Sequence, residues 1–241
     1  MTNINEIMII GGGKSIQDGL NQGLQPLLAT KFVIGTNYSF KTFSSTFLCF
    51  QDREFYVPDY AKNYPDEKTI RHPDIYNELK QLPLIIGINI NGIEEFKLDN
   101  TILLDKKEME KLTGIFALKL AEKIMEKGTI YLLGFDWNRR IGLPERDPNY
   151  NPKTDLQIHY YNNIKHRGVG YVGYYENHNP DKIFVQFIKK DVKIFNVSLQ
   201  SNINCFPKIS YEHMYTLLNK EKINQKEARQ EIKNKFNHDL K

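Results

Sequence analysis

Residues 7–15 read Ile-Met-Ile-Ile-Gly-Gly-Gly-Lys-Ser, four apolar residues running directly into three glycines and a serine. A buried strand ending in glycines lets backbone N–H groups approach a ligand, because no Cβ blocks the way. In an α/β protein the carboxyl end of the first strand is where nucleotides usually sit. The stretch is not a Walker A loop: Gly13-Lys14-Ser15 matches its end, but the glycine required five residues before Gly13 is Met8. Nor is it the dinucleotide fingerprint, whose third glycine would fall on Ile16. A tight strand-to-loop turn would also use these glycines. Their position favours a phosphate or nucleotide site.

Further along, short apolar runs alternate with helical patterns, as in a mostly parallel sheet with helical cover. Strands are expected at Ile7–Ile10, Phe32–Gly35, Phe47–Phe50, Leu84–Ile90, Thr129–Gly134 and Val192–Val197, with a turn at Asn91-Gly92. Leu20, Leu24, Leu27 and Leu28 space a helix over Gln17–Leu28, although Gly19, Gly23 and Pro26 interrupt it. Met109, Leu112, Phe116, Leu120 and Ile124 recur at steps of three and four, one face of a helix from about Lys106, with Gly128 as its stop. Asn179-Pro180-Asp181 reads as a helix start, with Asn as N-cap, Pro at the first helical position and an acid in the first turn; that helix is expected to reach Lys190. A further helix begins at Tyr211.

The expected fold is therefore an α/β, Rossmann-like three-layer domain over residues 1–205, followed by a C-terminal helical extension over 206–241. Residues 138–178 are rich in Asn, Gly, Pro and Tyr and lack periodicity. A loop of that length inside a compact domain is often a lid or binding loop.

The chain has 241 residues, enough for a sizeable core without disulfides. Its two cysteines, Cys49 and Cys205, fit a reducing, cytoplasmic compartment. No apolar run approaches the ~18 residues of a membrane span, and Met1–Glu6 lacks a signal-peptide pattern. The net charge is +4, and Lys220–Lys241 alone, with seven Lys/Arg against four Asp/Glu, supplies +3 of it. The near-neutral body argues against a nucleic-acid groove. The basic tail reads as a solvated helix face, with peripheral membrane or partner contact as its other use.

Three further strand ends carry polar groups: Thr36-Asn37, Gln51-Asp52 and Asp136, the last beside the only Trp, Trp137. In a parallel sheet these ends line one crevice. Asn37 also suits a turn, and Asp52 a cap or a pair with Arg53. Carboxylates there could hold Mg²⁺ through a nucleotide's phosphates or bind a ribose hydroxyl. Tyr160, Tyr161, Tyr171, Tyr174 and Tyr175 supply phenolic donors and stacking faces within the long loop. Of the histidines, His159, His166 and His178 fall in or beside it, and His178 stands immediately before the expected N-cap. A neutral imidazole there suits a general base for an acceptor hydroxyl. Neither a short-spaced His or Cys metal motif nor a Gly-x-Ser-x-Gly elbow occurs.

These residues resemble the bacterial sialyltransferase-like fold and the related motility-accessory-factor and archaeal hydroxymethylpterin pyrophosphokinase group. The shared features are the Gly-x-Gly-x-Ser loop at Gly11-Gly12-Gly13-Lys14-Ser15 and the strand-end Asn37. They continue with Thr113-Gly114 opening a helix and with Ile130-Tyr131-Leu132-Leu133-Gly134-Phe135-Asp136, similar to a strand of the form Ile-Tyr-Leu-x-Gly-x-Asp. Gly12 and Lys14 replace the Asn and Pro usual in the sialyltransferase loop. The resemblance places the helix start at Thr113 rather than Lys106. It implies a nucleotide-sugar donor, CMP-linked in the sialyltransferases, bound by Gly11, Gly12, Gly13, Ser15, Asn37, Thr113 and Gly114. His178 and Asp136 are then the expected catalytic residues, transferring a sugar to a hydroxyl acceptor. The other expectations are an Mg²⁺-dependent pyrophosphoryl or phosphoryl transferase and a non-catalytic binding protein on the same fold.

Overall fold

In the computed structural model the described residues are 4–52, 55, 75–90, 97–137 and 178–238. The chain begins with β1 (Glu6–Ile10), the helices α1 (Ile16–Asn21) and α2 (Leu24–Leu28), and β2 (Val33–Thr36). Gly23, at φ +81°, divides what the leucine spacing predicted as a single helix. A 3₁₀ turn at Asn37–Lys41 leads to β3 (Phe47–Cys49), then α3 (Ile75–Leu79), β4 (Ile85–Ile88) and β5 (Thr101–Leu104). Neither α3 nor β5 is anticipated from the sequence pattern, because both are too short to show a period.

Helix α4 (Thr113–Ile124) follows, and then β6 (Gly128–Leu133). The early start at Lys106 is incorrect: Lys106–Glu108 is a separate 3₁₀ turn, and Met109 is an exposed residue outside the helix. Nor does Gly128 cap α4. It opens β6 at φ +139°, where a Cβ would run into the Asn5 carbonyl. After α5 (Pro180–Phe184) a 3₁₀ turn through Phe187 replaces the expected continuation to Lys190. The chain closes with β7 (Val192–Asn196), α6 (Tyr211–Leu217) and α7 (Gln225–His238). The turn at Asn91-Gly92 and nearly all of the 138–178 loop lie outside the described residues.

The seven strands form one parallel sheet in the order β5-β4-β3-β2-β1-β6-β7. The chain steps outward from β1 to β5, returns along α4 across β1, β2 and β3, and resumes at β6 on the other flank of β1. Strand order therefore reverses between β1 and β6, a switch point of the kind that places ligands at the carboxyl edge. Ile10 is in register with both Gly35 and Leu133, so the loops after β2, β1 and β6 leave the sheet side by side.

Alternation of side chains sorts the core into two faces. Ile7, Ile9, Ile34, Ile130 and Leu132 meet α4, α5 and α7 on one. On the other, Met8, Ile10, Val33 and Leu133 meet α1, α2 and α6, while Leu48, Ile85 and Leu103 meet α3. This is a three-layer, Rossmann-like α/β architecture. Within it, α7 docks through Ala228, Ile232 and Phe236, all buried in the larger core. Arg229 adds bonds from Nε to the Thr46 carbonyl (2.9 Å) and from Nη2 to the Ser45 carbonyl (3.2 Å). The apolar stripe of the tail is thus spent inside the domain, and only its polar faces meet solvent.

Candidate functional site

The loop after β1 and the loop after β6 are drawn together. Gly11 N–H donates to the Leu133 carbonyl (2.7 Å) and Gly13 N–H to the Gly134 carbonyl (2.8 Å). Ser15 then meets Asp136 twice, its backbone N–H donating to Oδ2 (2.9 Å) and its hydroxyl to Oδ1 (2.5 Å). The approach explains two of the three glycines. A Cβ on Gly11 would stand 2.6 Å from the Gly134 carbonyl oxygen, and one on Gly13 would stand 2.5 Å from Asp136 Oδ2. Gly11 and Gly13 are therefore required by the neighbouring loop, whatever else approaches them. Asp136 is buried, and both its carboxylate oxygens accept from Ser15.

Helix α4 brings its amino end to the same place. Phe135 is the contact: a Cβ on Gly114 would lie 2.9 Å from its ring, and one on Gly11 would lie 3.0 Å from it. The N-cap of α4 is Leu112, which has no side-chain acceptor, and Ile115 and Phe116 N–H both turn back to the Leu112 carbonyl (3.1 Å each). The N–H groups of Thr113 and Gly114 then find no acceptor among the described residues. An uncapped helix start of this kind favours an anion through both its donors and its dipole. The approach to α4 is fixed from β3, where Gln51 Oε1 accepts from Glu110 N–H (2.6 Å).

On the opposite flank, Thr36 donates its hydroxyl to the Ile10 carbonyl (2.7 Å), tying the end of β2 to that of β1. Asn37 follows at φ +46°, and its buried Oδ1 has no partner among the described residues. Trp137, after β6, has the same φ of +46°. Asparagine tolerates this region and a bulky side chain rarely enters it. Backbone strain of this kind tends to gather at functional sites.

The carbonyls of three consecutive loop residues are taken by the last residue of β7 and the segment that follows it. Phe135 O accepts from Asn196 Nδ2 (3.0 Å) and Ser201 Oγ (2.7 Å), Asp136 O from Asn202 N–H (2.8 Å), and Trp137 O from Asn202 Nδ2 (2.9 Å). Asp181, in the first turn of α5, holds the far end of that segment by accepting at Oδ1 from Asn204 N–H (2.6 Å) and Cys205 N–H (2.9 Å). Burial opposes ionisation of Asp181, but these hydrogen bonds outweigh it and hold the carboxyl below its usual value. The Cys205 thiol is pushed up to about 11 by burial and by the Asp181 charge, and burial raises Cys49 further still. Neither is a thiolate nucleophile near neutral pH.

Of the sequence-predicted residues, Gly11, Gly12, Gly13, Ser15, Asn37, Thr113, Gly114 and Asp136 all fall at this carboxyl edge. His178 is exposed, just before Asn179, whose Oδ1 caps α5 through Asp181 N–H (2.9 Å). Phe184 of α5 packs edge-on against Trp137 at 5.7 Å and Phe135 at 6.3 Å, which ties the helix after His178 to the β6 loop. His159, His166 and the tyrosines 160, 161, 171, 174 and 175 lie outside the described residues. Sequence reasoning placed Gln51 at this edge without its role in holding Glu110, and overlooked the parts played by Phe135, Asn196 and Asn202. The available signal was a polar Asn at the end of the last strand, at Asn196. Among the described residues no group of three His, Cys, Asp or Glu could hold a metal ion. No described helix is long and apolar enough to cross a membrane.

No protein-family model matches this chain, no curated protein matches it, and no solved structure matches it.

Proposed function

We propose that the chain is a nucleotide-sugar-dependent glycosyltransferase, sialyltransferase-like in its loops, that moves a sugar from a nucleotide donor to a hydroxyl acceptor. The carrying observation is the uncapped amino end of α4, set beside the Gly11–Ser15 loop across one Phe135 ring at the point of strand reversal. The Thr113 and Gly114 N–H groups suit the donor phosphate. The unpartnered Asn37 Oδ1 suits a ribose hydroxyl or base amine that donates to it. Because the Ser15–Asp136 pair draws the β1 and β6 loops together, the ligand lies over the ends of β1, β2 and β3.

In the transfer the sugar–phosphate C–O bond breaks and its electron pair leaves with the nucleotide phosphate. A new C–O bond forms to the acceptor oxygen, whose proton passes to His178. A cytoplasmic location accompanies this reading, since Cys49 and Cys205 are both unpaired thiols.

Thermal-shift measurements with CMP, a CMP-sugar, ATP and GTP, each with and without Mg²⁺, test the reading. Stabilisation by CMP or the CMP-sugar without metal is the expected result. A response confined to ATP or GTP with Mg²⁺ would transfer the site to pyrophosphoryl or phosphoryl chemistry. No response to any nucleotide would leave a binding protein that shares only the fold. His178→Ala should cost a hundredfold or more in turnover, about the usual worth of a general base, while nucleotide affinity stays within about twofold.

A further inference from the structure

We propose that Asn202 is a positioning residue of this site, holding the strained backbone at Trp137 so that the Asp136 carboxylate meets Ser15. The inference rests on the nucleotide-site reading and assigns it a support on a different segment. Asp136 and Trp137 lie in neither strand nor helix, so their carbonyls need partners from elsewhere. Asn202 supplies both: its N–H binds Asp136 O and its Nδ2 binds Trp137 O. These bonds bracket the one peptide unit whose residue, a tryptophan, stands at φ +46°. An L-residue relaxes from that conformation unless its surroundings fix it.

Direction is the consequence. Rotation of Trp137 to negative φ would turn the Asp136–Trp137 peptide and carry the carboxylate away from Ser15 N–H and Oγ. Ser15 would lose the anchor that sets the loop beside α4. Among the described residues Asn202 makes no hydrogen bond to the Gly11–Ser15 loop or to α4, and it is exposed, so replacing it leaves the core intact. Asn196 and Ser201 are buried beneath the same loop and hold Phe135 O, which confines Asn202's part to the two carbonyls beyond.

Trp137 is the chain's only tryptophan, so its fluorescence reads this unit directly. In Asn202→Ala without ligand, the emission should shift to the red and acrylamide quenching should rise, while the melting temperature falls by only a few degrees. Affinity for CMP, measured by calorimetry, should fall about tenfold, the equivalent of one net hydrogen bond. In a Trp137→Gly background, where positive φ carries no strain, the same Asn202→Ala change should cost less than twofold. Equal losses in both backgrounds would overturn the strain-holding role. Unchanged Trp137 emission in the single variant would overturn it even if Trp137→Gly does not fold. Wild-type protein that binds no CMP, yet shows the fluorescence change in Asn202→Ala, would reject the CMP-sugar reading and retain the clamp.

Discussion

At the scale of single residues, glycines of equal appearance in the sequence do different work. Gly13 has no room: its missing Cβ is the space occupied by Asp136 Oδ2. Gly23 has open space around it but a backbone at φ +81°. Gly13→Ala should therefore act through steric displacement, destabilising by about 1–3 kcal/mol and breaking the Ser15–Asp136 contact. Gly23→Ala should cost about 1 kcal/mol through backbone strain alone, with the Trp137 environment unchanged. Urea unfolding combined with Trp137 fluorescence distinguishes the two. Equal emission changes in both variants would contradict the assignment.

At the scale of elements, the segment between β7 and α6 is a connector that fixes another loop. Its tension point is Asp181, whose carboxylate holds Asn204 and Cys205 N–H from the start of α5. The carboxyl is held below its ordinary value in the folded state. Its stabilisation is thus complete above the usual Asp range near pH 4 and is lost as pH falls through the lowered folded value. Asp181→Ala should remove about 1 kcal/mol at neutral pH, discounted for its partial exposure, and should flatten the acid limb of the stability curve. Wild-type and variant melting temperatures should converge as pH falls through that lowered value. Persistence of the full difference at pH 2 would rule out the charge as the source.

At the scale of the whole molecule, the C-terminal helices belong to the same core as the sheet. Phe236 is fully buried alongside residues of β3, β4 and β5, and α7 lies against β5. At the opposite edge from the candidate site, Lys31 and Glu6 form a buried pair at 3.2 Å. Lys31 Nζ also donates to the Asn219 carbonyl (2.5 Å), Asn219 Oδ1 (2.8 Å) and the Glu221 carbonyl (3.1 Å). These contacts join the amino ends of β1 and β2 to the start of the tail. Phe236→Ala should cost about 3–5 kcal/mol, a core truncation rather than a tail effect. Chemical denaturation should show one shared transition for strands and tail. An early, separate transition in which α7 melts alone would identify an appended helix instead.

Much of the sheet was legible because a buried parallel strand is a local apolar run, and such runs at 7–10, 32–35 and 129–134 need no partner to be recognised. The glycine loop, Asn37 and Asp136 were legible as the ends of those runs, and Thr113-Gly114 only through the family resemblance. Helix boundaries were less so. Met109 has the correct spacing for α4 but stands outside it, since periodicity registers apolar residues without testing whether the backbone between them is helical. Only the tertiary structure decided why Gly11 and Gly13 are glycines, because the reason is a loop more than a hundred residues away. It likewise decided that Asp136 accepts from Ser15 and that Asn202 grips the β6 loop. Hydrogen bonds between distant segments leave no period in the chain. They exist only once the order β2-β1-β6-β7 sets those strand ends side by side.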